Sequence, residues 1–205
     1  HTFTLTNTGG STATALVGGG LAAPFSYLGG AYPGSGGTCT TTLTSGANCT
    51  IVVRYAPSAP NPLDSSAIQI DYNDGVNPQS ITRGVRGIAV APALLTVSDS
   101  NPYNFGTLAV GAVSTHTFTI TNAGGFQATA ISEIGLGSPF TFVGGVFPGT
   151  LGTCTATLNP SATCTLVVQY APGAPSVADN DTLVVQYNDG VNVQTSSRTI
   201  TGVAV

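Results

Sequence analysis

HTFTLTNTGG at residues 1–10 returns as HTFTITNAGG at residues 116–125, and the offset of 115 then holds without a gap to Val205. Within this stretch Phe3 and Leu5 fall on one side and Thr2, Thr4 and Thr6 on the other. Phe118 and Ile120 alternate with Thr117, Thr119 and Thr121 in the same way. A period of two is the pattern of a half-buried strand, not of a helix. Further pairs lie outward along the chain. Pro24-Phe25 matches Pro139-Phe140, Gly37-Thr38-Cys39 matches Gly152-Thr153-Cys154, and Tyr55-Ala56-Pro57 matches Tyr170-Ala171-Pro172. YNDGVN at 72–77 returns at 187–192, and about half of all paired positions are identical. Internal duplication is the economical explanation.

Residues 91–115, APALLTVSDSNPYNFGTLAVGAVST, occur in one copy only. They precede the second HTFT, so they belong most simply to the start of the second repeat. The expected organisation is a first repeat over 1–90 that lacks its N-terminal 25 or so residues, followed by a complete repeat over 91–205. On this reading the chain is a window of a longer array, or a subunit whose first domain borrows the missing segment. An unpaired strand edge in the first repeat is then expected to be completed by a preceding repeat or another subunit.

Other strands are expected at CTIVVRY, with Ile51, Val53 and Tyr55 on one face, and at AIQIDY, with Ile68, Ile70 and Tyr72. Their second-repeat equivalents, ALLTV and NFGTLAV complete the set. Gly-Gly, Pro-Gly and Asn-Asp-Gly clusters punctuate the strands as turns. Seven or so strands per repeat predict an all-β fold of tandem immunoglobulin-like sandwiches.

Composition excludes several functions. Of the 205 residues 6% are charged, the net charge is −4, and the four basic residues are all arginine. Nucleic-acid binding needs a phosphate-neutralising stripe that four scattered arginines do not form. Lysine chemistry is absent with lysine itself. The longest apolar stretch, residues 87–97, is interrupted by Pro92 and is too short for a membrane-spanning helix, so no membrane insertion is expected.

The cysteines are the most specific feature. Cys39 with Cys49 and Cys154 with Cys164 sit ten positions apart in the shared frame GTCTxTLxxxxxCT. A strand-turn-strand hairpin would bring each pair together as a disulfide. Free thiols and a metal site are the rivals, although zinc wants four closely paired ligands and only His1 and His116 could supplement them. A disulfide implies an oxidising compartment, here extracellular or the cell surface.

The remaining constellations read as structure. YNDGVN resembles a calcium loop in its cluster of Asp71, Asn73 and Asp74, but the second repeat has Gln186 at the place of Asp71, and Asp-Gly suits a tight turn. His1 and His116 read as solvated strand residues. Asp64 and Asp179 fall in expected loops. No nucleophile, base or carboxylate pair forms an active site, so neither enzyme activity nor a cofactor is expected. Asn48-Cys49-Thr50 and Asn180-Asp181-Thr182 match the glycosylation sequon at non-equivalent places, which makes Asn48 and Asn180 possible glycan sites only by motif. Tyr27, Tyr32, Phe142 and Phe147 lie in the aromatic stretch after each Pro-Phe and offer a ligand surface, with core packing as the plainer alternative.

NFGTLAVG at 104–111, a strand ending TNxGG, then PF, GTC, CTxVVxYAP and YNDG together resemble the bacterial surface repeats called choice-of-anchor D domains. Those are similar to abnormal-spindle/hydin (ASH) immunoglobulin-like domains. The resemblance implies seven-stranded sandwiches used in tandem on exported bacterial proteins, and it supplies no catalytic residues. Two roles are expected from it and from the repeats. The first is a structural one, a segment of a fibre, stalk or surface layer that associates with neighbouring repeats or subunits. The alternative is an adhesin module that binds a glycan or host protein through sandwich loops.

Overall fold

The computed structural model describes His1 to Val205 and is built from strands and turns without a helix. It divides into two compact units, His1–Val90 and Ala91–Val205. In the first unit β1 (Thr2–Thr6), β4 (Asn48–Tyr55) and β3 (Phe25–Tyr27) form one sheet, in that order. β2 (Thr14–Gly19), β5 (Asn61–Asn73) and β6 (Pro78–Ala89) form the other.

The second unit repeats this order and extends both sheets by one strand. β7 (Leu95–Val97), β9 (Ser114–Asn122), β12 (Thr163–Tyr170) and β11 (Phe140–Phe142) form one sheet. β8 (Tyr103–Leu108), β14 (Val193–Ala204), β13 (Ser176–Asn188) and β10 (Thr129–Glu133) form its partner. All named pairings are antiparallel except β8 with β14, which run parallel.

The period-two pattern determines the core. Phe118 faces Leu166 and Ile120 faces Cys164 across β9 and β12, and their side chains meet Leu183, Val185 and Ile200 from the opposite sheet. In the first unit Ile51 and Val53 of β4 meet Ile68, Ile70 and Val85. Each unit therefore packs two sheets around one apolar layer, the arrangement of a β-sandwich.

Two local expectations need correction. Asp64 and Asp179 lie within β5 and β13, not in loops, next to register shifts at Asn61/Asp64 and Ser176/Asp179. NPLDSS and SVADND lack alternation, but main-chain pairing with β6 and β14 carries the strands through them. Only one cysteine of each pair is on a strand. Cys49 and Cys164 belong to β4 and β12, whereas Cys39 and Cys154 sit in irregular chain. The Asn-Asp-Gly segments form the expected turns, each a four-residue connection between Asn73 and Pro78 and between Asn188 and Val193.

Candidate functional site

Most polar groups singled out in the sequence are engaged in bonds within their own unit. Cys39 is bonded to Cys49 and Cys154 to Cys164, each with Cα atoms 4.8 Å apart, and no cysteine is free. Both bonds are buried and tie an irregular segment to a core strand. Thr38 and Thr50, and likewise Thr153 and Thr165, place hydroxyls 3.1 Å apart beside them.

The turn aspartates are caged by donors. Asp74 Oδ1 accepts the Val76 and Asn77 N–H groups at 2.8 Å, and Oδ2 accepts Gln79 Nε2 at 2.9 Å. Asp189 repeats the cage with Val191, Asn192 and Gln194. The backbone donors of Asn77 and Asn192 lead in holding these carboxyls below the usual carboxylate range. Nowhere do three or more His, Cys, Asp or Glu side chains gather as a metal site would require.

A bonded pair that the sequence reading missed recurs in both units. Tyr55 donates to Asp64 Oδ2 and Tyr170 to Asp179 Oδ2, each at 2.6 Å. Desolvation first, and the adjacent carboxylate second, push both phenols up to about 12. The signal was present in the repeats: across residues 61–70, Asp64 is the only position identical to its partner 115 residues on.

The proposed ligand aromatics are packed inward. Tyr27 and Phe142 are buried, while the half-buried Tyr32 and Phe147 meet them edge-on at 5.7 Å. Apolar rings beneath a long connection complete the core, so this set presents little surface to a ligand. Asn48 and Asn180 are exposed, on β4 and β13. His116 departs from the solvated reading. It stacks on Tyr103 at 3.9 Å and places Nε2 3.2 Å from Asp99 Oδ2.

The largest difference between the units is on the side covered by residues 91–115. In the second unit Ala93, Leu95 and Val97 are buried, and Tyr103, Phe105 and Leu108 pack against the same core. The Leu95 N–H donates to Tyr187 Oη at 3.2 Å and the Leu94 N–H to Asn122 Oδ1 at 3.1 Å. Arg198 donates to the Val97 carbonyl. Phe105 lies 5.7 Å from Phe140 and 6.0 Å from Tyr170.

The first unit has the matching acceptors but no such cover. Phe3 and Leu5 are half-buried where Phe118 and Ile120 are fully buried, and Tyr55 is half-buried where Tyr170 is sealed. β1 and β6 are sheet edges. Between them runs a groove of about 520 Å³ lined by Leu5, Leu16, Leu43, Ile70, Tyr72 and Ile81. A second hollow of about 390 Å³ continues past His1, Phe3, Ile51, Ile68 and Arg83. Thr6, Asn7, Ser11 and Asp74 also line the larger groove, so its wall is mixed polar and apolar.

The fold is an all-β sandwich with two disulfides, and the disulfides suit an oxidising compartment. No protein-family model matches the chain, and no curated protein matches it. Among solved structures it is similar to the VesB protease of Vibrio cholerae, at 14% identity over 55% of this chain and 32% of that one, with a TM-score of 0.43. A Porphyromonas gingivalis protein of unknown function matches at 12% identity over 97% of this chain and 87% of that one, with a TM-score of 0.40. Cadherin-like domains 1 to 4 of zebrafish RET match at 11% identity over 94% and 42%, with a TM-score of 0.28. This chain thus spans about a third of the length of the protease chain. Similarity at this level assigns no function.

Proposed function

We propose that this chain is a segment of an extracellular tandem-repeat protein of immunoglobulin-like sandwiches that serves as a fibre, stalk or surface layer. The observation that carries this reading is the duplication itself: the second unit repeats the strand order of the first. Repeats of one design stack on neighbours like themselves. The polar groups support the same role, since the disulfides, turn cages and Tyr–Asp bonds recur 115 residues apart as internal ties. Few charges leave little to repel a neighbouring copy.

Electron microscopy of the purified chain across a concentration series tests the reading. Filaments, stacks or ordered layers are expected without any added ligand. Monodisperse single particles at millimolar concentration would count against it.

A further inference from the structure

We infer that Asn180 is the acceptor of an N-linked oligosaccharide, taken from a lipid-pyrophosphate donor in the oxidising compartment that the disulfides suit. The inference needs export alone and holds whether or not the chain builds a fibre.

The fold treats the two Asn-x-Thr motifs of the chain differently. Such a motif needs a hydroxyl two residues after the asparagine, so amide and hydroxyl must both be open to a transferase. In Asn48-Cys49-Thr50 they are not. Thr50 Oγ1 lies 3.1 Å from Thr38 Oγ1 and accepts the Thr38 N–H at 3.1 Å. Cys49, between them, is buried in its disulfide with Cys39, and β4 is the middle strand of its sheet.

Strand β13 presents Asn180-Asp181-Thr182 openly. Leu183, Val185 and Tyr187 alternate into the core, which turns Asn180 and Thr182 together onto the outer face, and both are exposed. Asp181, between them, is occupied within its unit. Its Oδ2 accepts the Gly137 N–H at 2.8 Å and its Oδ1 the Thr182 N–H at 2.7 Å. The pairing of β10 with β13 ends at Glu133 opposite Val185, so Asn180 lies on a stretch of β13 paired with β14 alone. Across that pairing Thr201 stands opposite Asn180 and Thr199 opposite Thr182, small uncharged side chains that leave room for a sugar. The first unit has Ser65 and Ala67 at these two places, so the acceptor belongs to the second unit alone.

In the transfer the Asn180 amide nitrogen attacks the anomeric carbon of the donor sugar. The N–C bond forms as the bond from that carbon to the pyrophosphate oxygen breaks. The lipid pyrophosphate leaves, and the amide nitrogen gives one proton to a base of the transferase.

The test is peptide mapping by mass spectrometry of the chain, secreted with both disulfides formed from cells that carry such a transferase and its donor. One oligosaccharide mass is expected, on Asn180, with Asn48 unmodified. Asn180→Gln and Thr182→Ala should each abolish the added mass, Thr182→Ser should retain it, and Asn48→Gln should change nothing. Because these side chains are exposed, the circular dichroism of Asn180→Gln should match that of the unsubstituted chain, which separates loss of the acceptor from loss of the fold. A bare Asn180 in the secreted protein, a glycan on Asn48 instead, or addition to Asn180 only after reduction and unfolding would each overturn the proposal. An added mass that survives Asn180→Gln would overturn it as well.

Discussion

Single residues set the chemistry of stability here. The folded phenols of Tyr55 and Tyr170, pushed up to about 12, favour the neutral form. Their contribution is whole below the unfolded tyrosine value of about 10 and is lost as pH rises from there toward 12. Asp74 and Asp189, held down by backbone donors, work in the opposite direction. Their contribution is whole above about pH 4 and is lost as pH falls through their depressed values. Denaturant melts across pH should therefore show a plateau between two falling limbs, and Tyr55→Phe with Tyr170→Phe should flatten only the alkaline limb. An unchanged alkaline limb would refute the Tyr–Asp account. Asn122 gives a second test. Fully buried, it accepts from Leu94 and Gly124 and donates to the Phe126 and Leu158 carbonyls. Asn122→Ala should cost about 3 kcal/mol by stranding these groups. Asn7→Ala, at the half-buried equivalent, should cost clearly less in the same melts.

At the scale of elements, strands with strict alternation were legible and strands held by their neighbours were not. TFTLT and CTIVVRY declare their buried faces by period two, and β1, β4, β9 and β12 appear there. β6 and β14 did not declare themselves, because QSITR and QTSSR are mostly exposed and polar. The hairpin with β5 or β13 makes them strands through main-chain bonds, with apolar residues only toward their ends. Likewise the cysteine spacing identified the covalent pairs while misplacing one partner of each on a strand. Each disulfide closes a loop that the chain-entropy model values at about 2 to 3 kcal/mol, so reduction should lower the unfolding free energy of each unit by that amount. Strand β14 offers a sharper probe. A Cβ at Gly202 would stand 2.5 Å from the Tyr170 ring. Gly202→Ala should displace the ring and break its bond to Asp179, which a loss of the raised phenol titration would report.

The chain holds one sandwich design twice, and in the second copy residues 91–115 add β7 and β8 to the sheets and core. This difference is legible in the repeat arithmetic, since those residues occur only once among the 205. What the sequence left hidden was its physical form: a parallel strand, a stacked histidine and an arginine reaching a carbonyl, all contacts between residues far apart in the chain. Thermal melting should accordingly be biphasic, with the first unit opening at the lower temperature. Amide hydrogen exchange on the full chain, compared between dilute and concentrated samples, tests the central claim most directly. The account predicts that exposed strand edges gain protection on concentration as copies associate, while the buried core strands β9 and β12 are slow throughout. Identical exchange in dilute and concentrated samples would contradict it.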